Sequence, residues 1–151
     1  MNYKDYFSAV NLQTALTSVA ISSDADINGV AIDVSGAKSL ACYLFVSAFT
    51  SGSIKVKSIQ FADDSGFTTN VSTFDSTKIQ YFQANNVNSV NDALVQTTLT
   101  AVGSTKIGIP NLAIGNQKYA RVVFTSAGGA ALTAYAVLAL GGFGEDPKVQ
   151  I

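Results

Sequence analysis

Apolar side chains in residues 39–48 fall on both phases of a two-residue period. Leu40, Cys42, Leu44 and Val46 occupy one phase, and Ala41, Tyr43 and Phe45 with Ser47 the other. A strand apolar on both phases is expected to be central and covered on both faces. Ser51-Gly52 predicts a turn, and residues 54–61 a second strand. There Ile54 and Val56 alternate with Lys55 and Lys57, but from Ser58 the phase flips to Ile59 and Phe61. One extra residue in the strand, a β-bulge, accounts for such a flip. Asp63-Asp64-Ser65-Gly66 predicts a turn, residues 67–74 the strand after it, and residues 78–82 a short β-rich run. Residues 30–34 alternate ahead of a Ser35-Gly36 turn. Near the C-terminus, residues 118–125 and 132–140 are long β runs on either side of Gly128-Gly129, which predicts a hairpin.

Helix signals are thin. Asn91-Asp92 suits the cap of a short turn through Leu94 and Val95, but the β-branched Thr97, Thr98 and Thr100 oppose its extension. Many short strands separated by turn residues make an all-β chain, a sandwich or barrel. Its 151 residues fit a single domain, long enough to hold one hydrophobic core. The ends differ from the middle. An N-terminal arm, about residues 1–16, carries Tyr3, Tyr6 and Phe7 without a strand pattern. A C-terminal tail, about residues 141–151, holds Phe143 among glycines and Pro147 and resists regular structure. Aromatic side chains on such ends are costly to leave in water, so both are candidates for packing on the fold or on a neighbour.

Charge changes the picture. Only 13% of residues are charged and the net charge is −1, against about 25% charged residues in an ordinary soluble domain. A subunit in a dense array of identical copies suits such a surface, because any large charge would repeat on every neighbour. Arg121 is the sole arginine and the lysines are scattered, which gives no basic stripe for nucleic acid. No run approaches the length of a membrane span, and the opening Met1-Asn2-Tyr3-Lys4-Asp5-Tyr6 lacks a signal-peptide pattern. The expectation is a protein made and used without export, with neither nucleic acid nor membrane as partner.

Candidate chemistry is sparse. The chain has no histidine, which removes His-based nucleophile systems and metal sites. A paired-carboxylate hydrolase needs two acids in a cleft, and the one glutamate, Glu145, lies in the tail. Asp63 and Asp64 read as turn formers, Cys42 as a core thiol. The expectation is therefore no enzyme, no cofactor and no catalytic residue. Asp24-Ala25-Asp26-Ile27-Asn28-Gly29 matches the first half of a calcium-binding loop, but Ser35 stands where the closing glutamate belongs. An Asx-rich turn is the preferred reading, and a weak surface calcium site at residues 24–28 stays open. Tyr119, Arg121 and Val123 are expected to share one face opposite Ala120, Val122 and Phe124, with Tyr119 and Arg121 on the outside, and these two are residue types enriched at interface centres. With Tyr3, Tyr6, Phe7 and Phe143 they form the candidate interface set. The rival function is a carbohydrate-binding or adhesin-type module, using Tyr43, Tyr81, Tyr119 or Tyr135 in the absence of tryptophan.

Several segments carry a resemblance. They are Phe7-Ser8-Ala9 with Leu12 and Thr14, Ile32-Asp33-Val34-Ser35-Gly36, Phe61-Ala62-Asp63-Asp64-Ser65-Gly66-Phe67, Lys118-Tyr119-Ala120-Arg121-Val122 and Leu132-Thr133-Ala134. In order and rough spacing they resemble the jelly-roll cement, or head-decoration, proteins of tailed phages. The N-terminal element lacks the acidic residue usual after its serine, and residues 84–109 match nothing in the pattern. The resemblance implies a jelly-roll-like antiparallel β-sandwich without catalysis or cofactor. It further implies a homodimer or homotrimer on the outer surface of the virion capsid, partnered with a major capsid protein of the tailed-phage type and bridging adjacent capsomers.

Overall fold

The computed structural model describes residues 10–75, 98–109 and 116–141. These form eight strands: β1 (Val10–Ile21), β2 (Asp26–Asn28), β3 (Ile32–Asp33), β4 (Ser39–Ala62), β5 (Ser72–Asp75), β6 (Thr98–Leu99), β7 (Gly103–Ile109) and β8 (Tyr119–Gly141). There is no helix among the described residues.

β4 and β8 make one long antiparallel ribbon, paired from Ser39 with Gly141 to Ala62 with Tyr119. The ribbon is creased at its middle. Between the pairs Ser51–Ala131 and Ser53–Ala127, Gly52 stands against residues 128–130. Gly52, Gly128 and Gly129 all have left-handed backbones, with φ of 84°, 74° and 71°, which glycine adopts without the steric penalty of a Cβ. A Cβ on Gly52 would lie 2.5 Å from the Ala130 Cα, so a side chain there would force the two strands apart.

The remaining strands follow the same crease. β1 pairs with residues 132–141 of β8, while β2 and β3 pair with residues 119–125. On the other side, β7 pairs with residues 40–46 of β4, and β6 and β5 pair with residues 54–61. Hydrogen bonding therefore runs on as a single sheet, yet the crease divides it in two. The first sheet holds β1, the C-terminal half of β8, the N-terminal half of β4, and β7. The second holds β2 with β3, the N-terminal half of β8, the C-terminal half of β4, and β5 with β6. Counting the halves of β4 and β8 separately, and β2 with β3 and β5 with β6 as one segment each, gives eight segments in chain order. They run 1-8-3-6 in one sheet and 2-7-4-5 in the other, the jelly-roll arrangement. Strands that change sheet through bulges and bends are how such corners are made.

Inward side chains of both sheets meet in one continuous core. It takes Leu40, Cys42, Leu44, Leu138 and Leu140 from the first, and Ile54, Ile59, Phe61, Val122 and Phe124 from the second. The bulge expected near Ser58 is present: the register slips between Val56 and Ser58, and Ser58 and Ile59 are buried in succession. The all-β, sandwich-like expectation holds.

Four local expectations are corrected. Gly128-Gly129 makes no hairpin, because residues 119–127 and 130–141 do not pair with each other but each pairs with half of β4. Ser51-Gly52 likewise bends the chain without reversing it. Residues 67–74 are strand only from Ser72, since Phe67 and Asn70 adopt φ of 55° and 50°, which a ladder does not admit. Residues 10–16, assigned to the arm, are already strand. β1 is an edge strand whose exposed Asn11, Gln13 and Thr14 and two register breaks hide its alternation. The predicted run at 78–82 and the turn at 91–95 lie outside the described residues.

Candidate interaction surface

The two sheets turn different outer faces to solvent. On the first, the register aligns Leu12, Ala139 and Ala41 in one row, Thr14, Val137, Tyr43 and Lys106 in the next, and Tyr135, Phe45 and Ser104 in a third. Leu12 is 64% exposed and Tyr135 37%. The Phe45 and Tyr135 rings stack at 4.8 Å and 10°, and the Lys106 ammonium sits 5.5 Å from the Tyr43 ring centroid. The expectation that this strand is covered on both faces is therefore corrected. Leu40, Cys42, Leu44 and Val46 are buried, whereas Ala41, Tyr43 and Phe45 are half-exposed and Ser47 is exposed. Contiguous exposed apolar rows are a mark of contact surfaces.

The second sheet's outer face is polar. Arg121 and Gln60 are cross-strand partners, and the Arg121 Nε–H donates to Gln60 Oε1 at 2.7 Å. The guanidinium carbon lies 4.3 Å from the Phe67 ring centroid. Tyr119 lies beneath the Lys118 ammonium, which is also 3.9 Å from the Asp33 carboxylate. Ala120, Val122 and Phe124 are fully buried while Tyr119 and Arg121 are half-exposed, the facing expected from the sequence, but Val123 of the same phase is buried where the register slips opposite it. Tyr119 and Arg121 are two positions apart on one strand and one face, but each is engaged by its own neighbours. The other candidates, Tyr3, Tyr6, Phe7 and Phe143, lie outside the described residues, as does Tyr81.

Every described carboxylate with a resolved shift is engaged within the fold. Asp24 accepts from the amides of Ala130 at 2.9 Å and Gly129 at 3.2 Å, which hold it below the usual carboxylate range and pin the β8 crease. Asp26 is lowered by its hydrogen bonds from the Lys57 ammonium and Thr125. Asp24 and Asp26 thus serve different partners, and no three His, Cys, Asp or Glu side chains gather in metal-binding range among the described residues. The calcium reading of residues 24–28 gains no support from this arrangement, and the Asx-rich turn expected there is corrected, since Asp26–Asn28 is strand paired with β8. Asp33 is lowered by Ser35, and Asp64 by the Thr68 hydroxyl and the amides of Thr69 and Thr68. Asp64 is the turn former expected. Cys42 is a core thiol, fully buried and pushed up to about 12 by desolvation. A shallow cleft between residues 34–37 and 116–118 has no aromatic in its lining.

Sequence reasoning missed Leu12 and Phe45 as surface residues and named Tyr135 only for the rival sugar-binding reading. The signal lay in the alternation of residues 39–48, whose second phase ends in Ser47. That polar end marks a face that is not fully enclosed.

No family model matches the chain, and no curated protein matches it. Among solved structures it is similar to the "SPBc2 prophage-derived protein YomS". That likeness covers 87% of this chain and 91% of the other at 14% identity, with a TM-score of 0.45.

Proposed function

We propose that this chain is a structural cement protein that sits on the outside of an icosahedral phage head and ties neighbouring capsomers together. The observation that carries the reading is the first sheet's outer face, where Leu12, Tyr43, Phe45, Tyr135 and Val137 stand at least partly exposed in adjacent rows with Lys106 as their one charge. A sheet face with such apolar rows suits packing against a large protein surface. A small-molecule site is concave with a few converging polar groups, and the described acids are engaged in turns, the crease and ion pairs instead. The jelly-roll order of strands and the resemblance of five sequence segments to cement proteins support the same reading. On it, the major capsid protein is the partner, and self-association into a dimer or trimer multiplies modest contacts by avidity. No catalytic step is assigned to the chain.

Counting this chain against the major capsid protein in purified particles of the phage that encodes it tests the proposal. A copy number comparable to the shell protein is expected. Absence from the particle overturns the proposal, and a handful of copies assigns the chain to a tail or fibre instead.

A further inference from the structure

We propose that Arg121 is a preformed docking point for a carboxylate side chain of a shell subunit in the adjacent capsomer, an inference that rests on the cement reading above. The second sheet meets that subunit across the seam while the first sheet packs on its own capsomer. The guanidinium is positioned before any partner arrives. Its Nε–H is bonded to Gln60 Oε1 at 2.7 Å, and its central carbon is stacked 4.3 Å from the Phe67 ring centroid. This leaves the two terminal Nη groups without an acceptor among the described residues. They are the end of the fork that grips a carboxylate with two parallel hydrogen bonds. Holding the fork in place in advance reduces the ordering a partner must impose on it.

Two further observations agree. The Phe67 ring is delivered by a backbone with φ of 55°, a conformation that a non-glycine residue keeps only when its surroundings enforce it. The enforcement is visible: the Phe67 amide donates to the Asp64 carbonyl at 3.2 Å, and the Asp64 carboxylate ties the next two amides. Three of the acids on this side are engaged elsewhere. Asp64 holds its own turn, Asp26 pairs with Lys57, and Asp33 faces Ser35 and Lys118. Arg121 is therefore a half-buried cation with no acidic partner among the described residues. A lone guanidinium matches one planar monoanion. Phosphate sites more commonly converge several donors, and Lys57 and Lys118 are turned to Asp26 and Asp33.

Arg121 is the sole arginine of the chain, so its Nε–Hε gives one unambiguous resonance in a 15N-labelled sample. The full chain is titrated with sodium acetate, and in parallel with sodium chloride and sodium phosphate, at matched ionic strength and constant pH. A saturable shift with acetate that chloride does not produce is expected. In Gln60→Ala and Phe67→Leu the midpoint moves to several-fold higher acetate while the amide spectrum of β8 keeps its folded dispersion. If Phe67→Leu fails to fold, Gln60→Ala alone carries that comparison. A drift with acetate no different from that with chloride overturns the proposal, and so does saturation by phosphate alone. The titration needs no shell, so its failure and a failed particle count are separate results.

Discussion

The two sheets share one core and differ in what they show outside. The first presents Leu12, Tyr43, Phe45, Tyr135 and Val137 with Lys106 as the charge in its aligned rows, whereas the second presents Arg121, Gln60, Asp26, Asp33 and Lys55. The inner faces are dictated by folding, because both must fill the same space with Leu, Ile, Val and Phe. The outer faces are free of that demand. On the proposed reading their divergence reflects what each surface meets: an apolar partner surface for the first, water and single polar contacts for the second. The resolved carboxylate shifts follow the same division. Asp26, Asp33 and Asp64 lie on the second sheet or its loops, and Asp24 lies at the crease.

The largest effect is expected where the sheets do not differ. Phe124 is fully buried between them, so Phe124→Ala should cost about 3–5 kcal/mol and loosen both sheets together. Denaturant unfolding checks the size, and hydrogen exchange resolved by strand checks that neither sheet survives the other. A smaller loss is expected at Gly29. A Cβ there would fall 2.4 Å from the Ala15 carbonyl oxygen and 2.6 Å from that of Val122. Both are backbone atoms, one in each sheet, so Gly29→Ala should cost about 1–3 kcal/mol as an overpacked site, read as a lowered denaturation midpoint.

Acid should separate the sheets. Asp24, Asp26, Asp33 and Asp64 are lowered from 3.8 in the folded chain. Their stabilisation is present in full above the unfolded value and is lost as pH falls through the lowered folded values. Amides of β2, β3 and the crease are thus expected to lose exchange protection below about pH 4 before those of β7 and its partner half of β4. Simultaneous loss would contradict the division. The smallest effect on stability belongs to the outer pair. Phe45→Ser or Tyr135→Ser removes a stacked contact worth about 0.5–1.5 kcal/mol, measurable as a modest fall in Tm with the fold intact.

The sequence made the inner faces readable and left the pairing hidden. The flip at Ser58 announced its bulge, and the alternation around Arg121 placed Tyr119 and Arg121 outside, because a two-residue period maps directly onto a sheet face. Gly52 and Gly128-Gly129 were visible as bends, but a glycine turn looks alike whether the chain reverses or creases. Only the long-range partner, here β4 against β8, decides between them. β1 was missed because an edge strand with bulges at Ala15 and between Leu16 and Val19 breaks the period that identifies strands. Of the candidate site, Arg121 was legible from its residue type and phase. Its stacking on Phe67 was not, because a left-handed phenylalanine in a turn leaves no pattern in sequence.

The central claim is that the first sheet's outer face binds the shell. The direct measurement is the binding of purified wild-type chain and of the Phe45→Ser/Tyr135→Ser double variant to expanded heads lacking this protein, followed by co-sedimentation. Saturable binding by the wild type, with affinity reduced at least tenfold in a double variant that remains folded, is the predicted result. Equal binding by both chains would contradict the account.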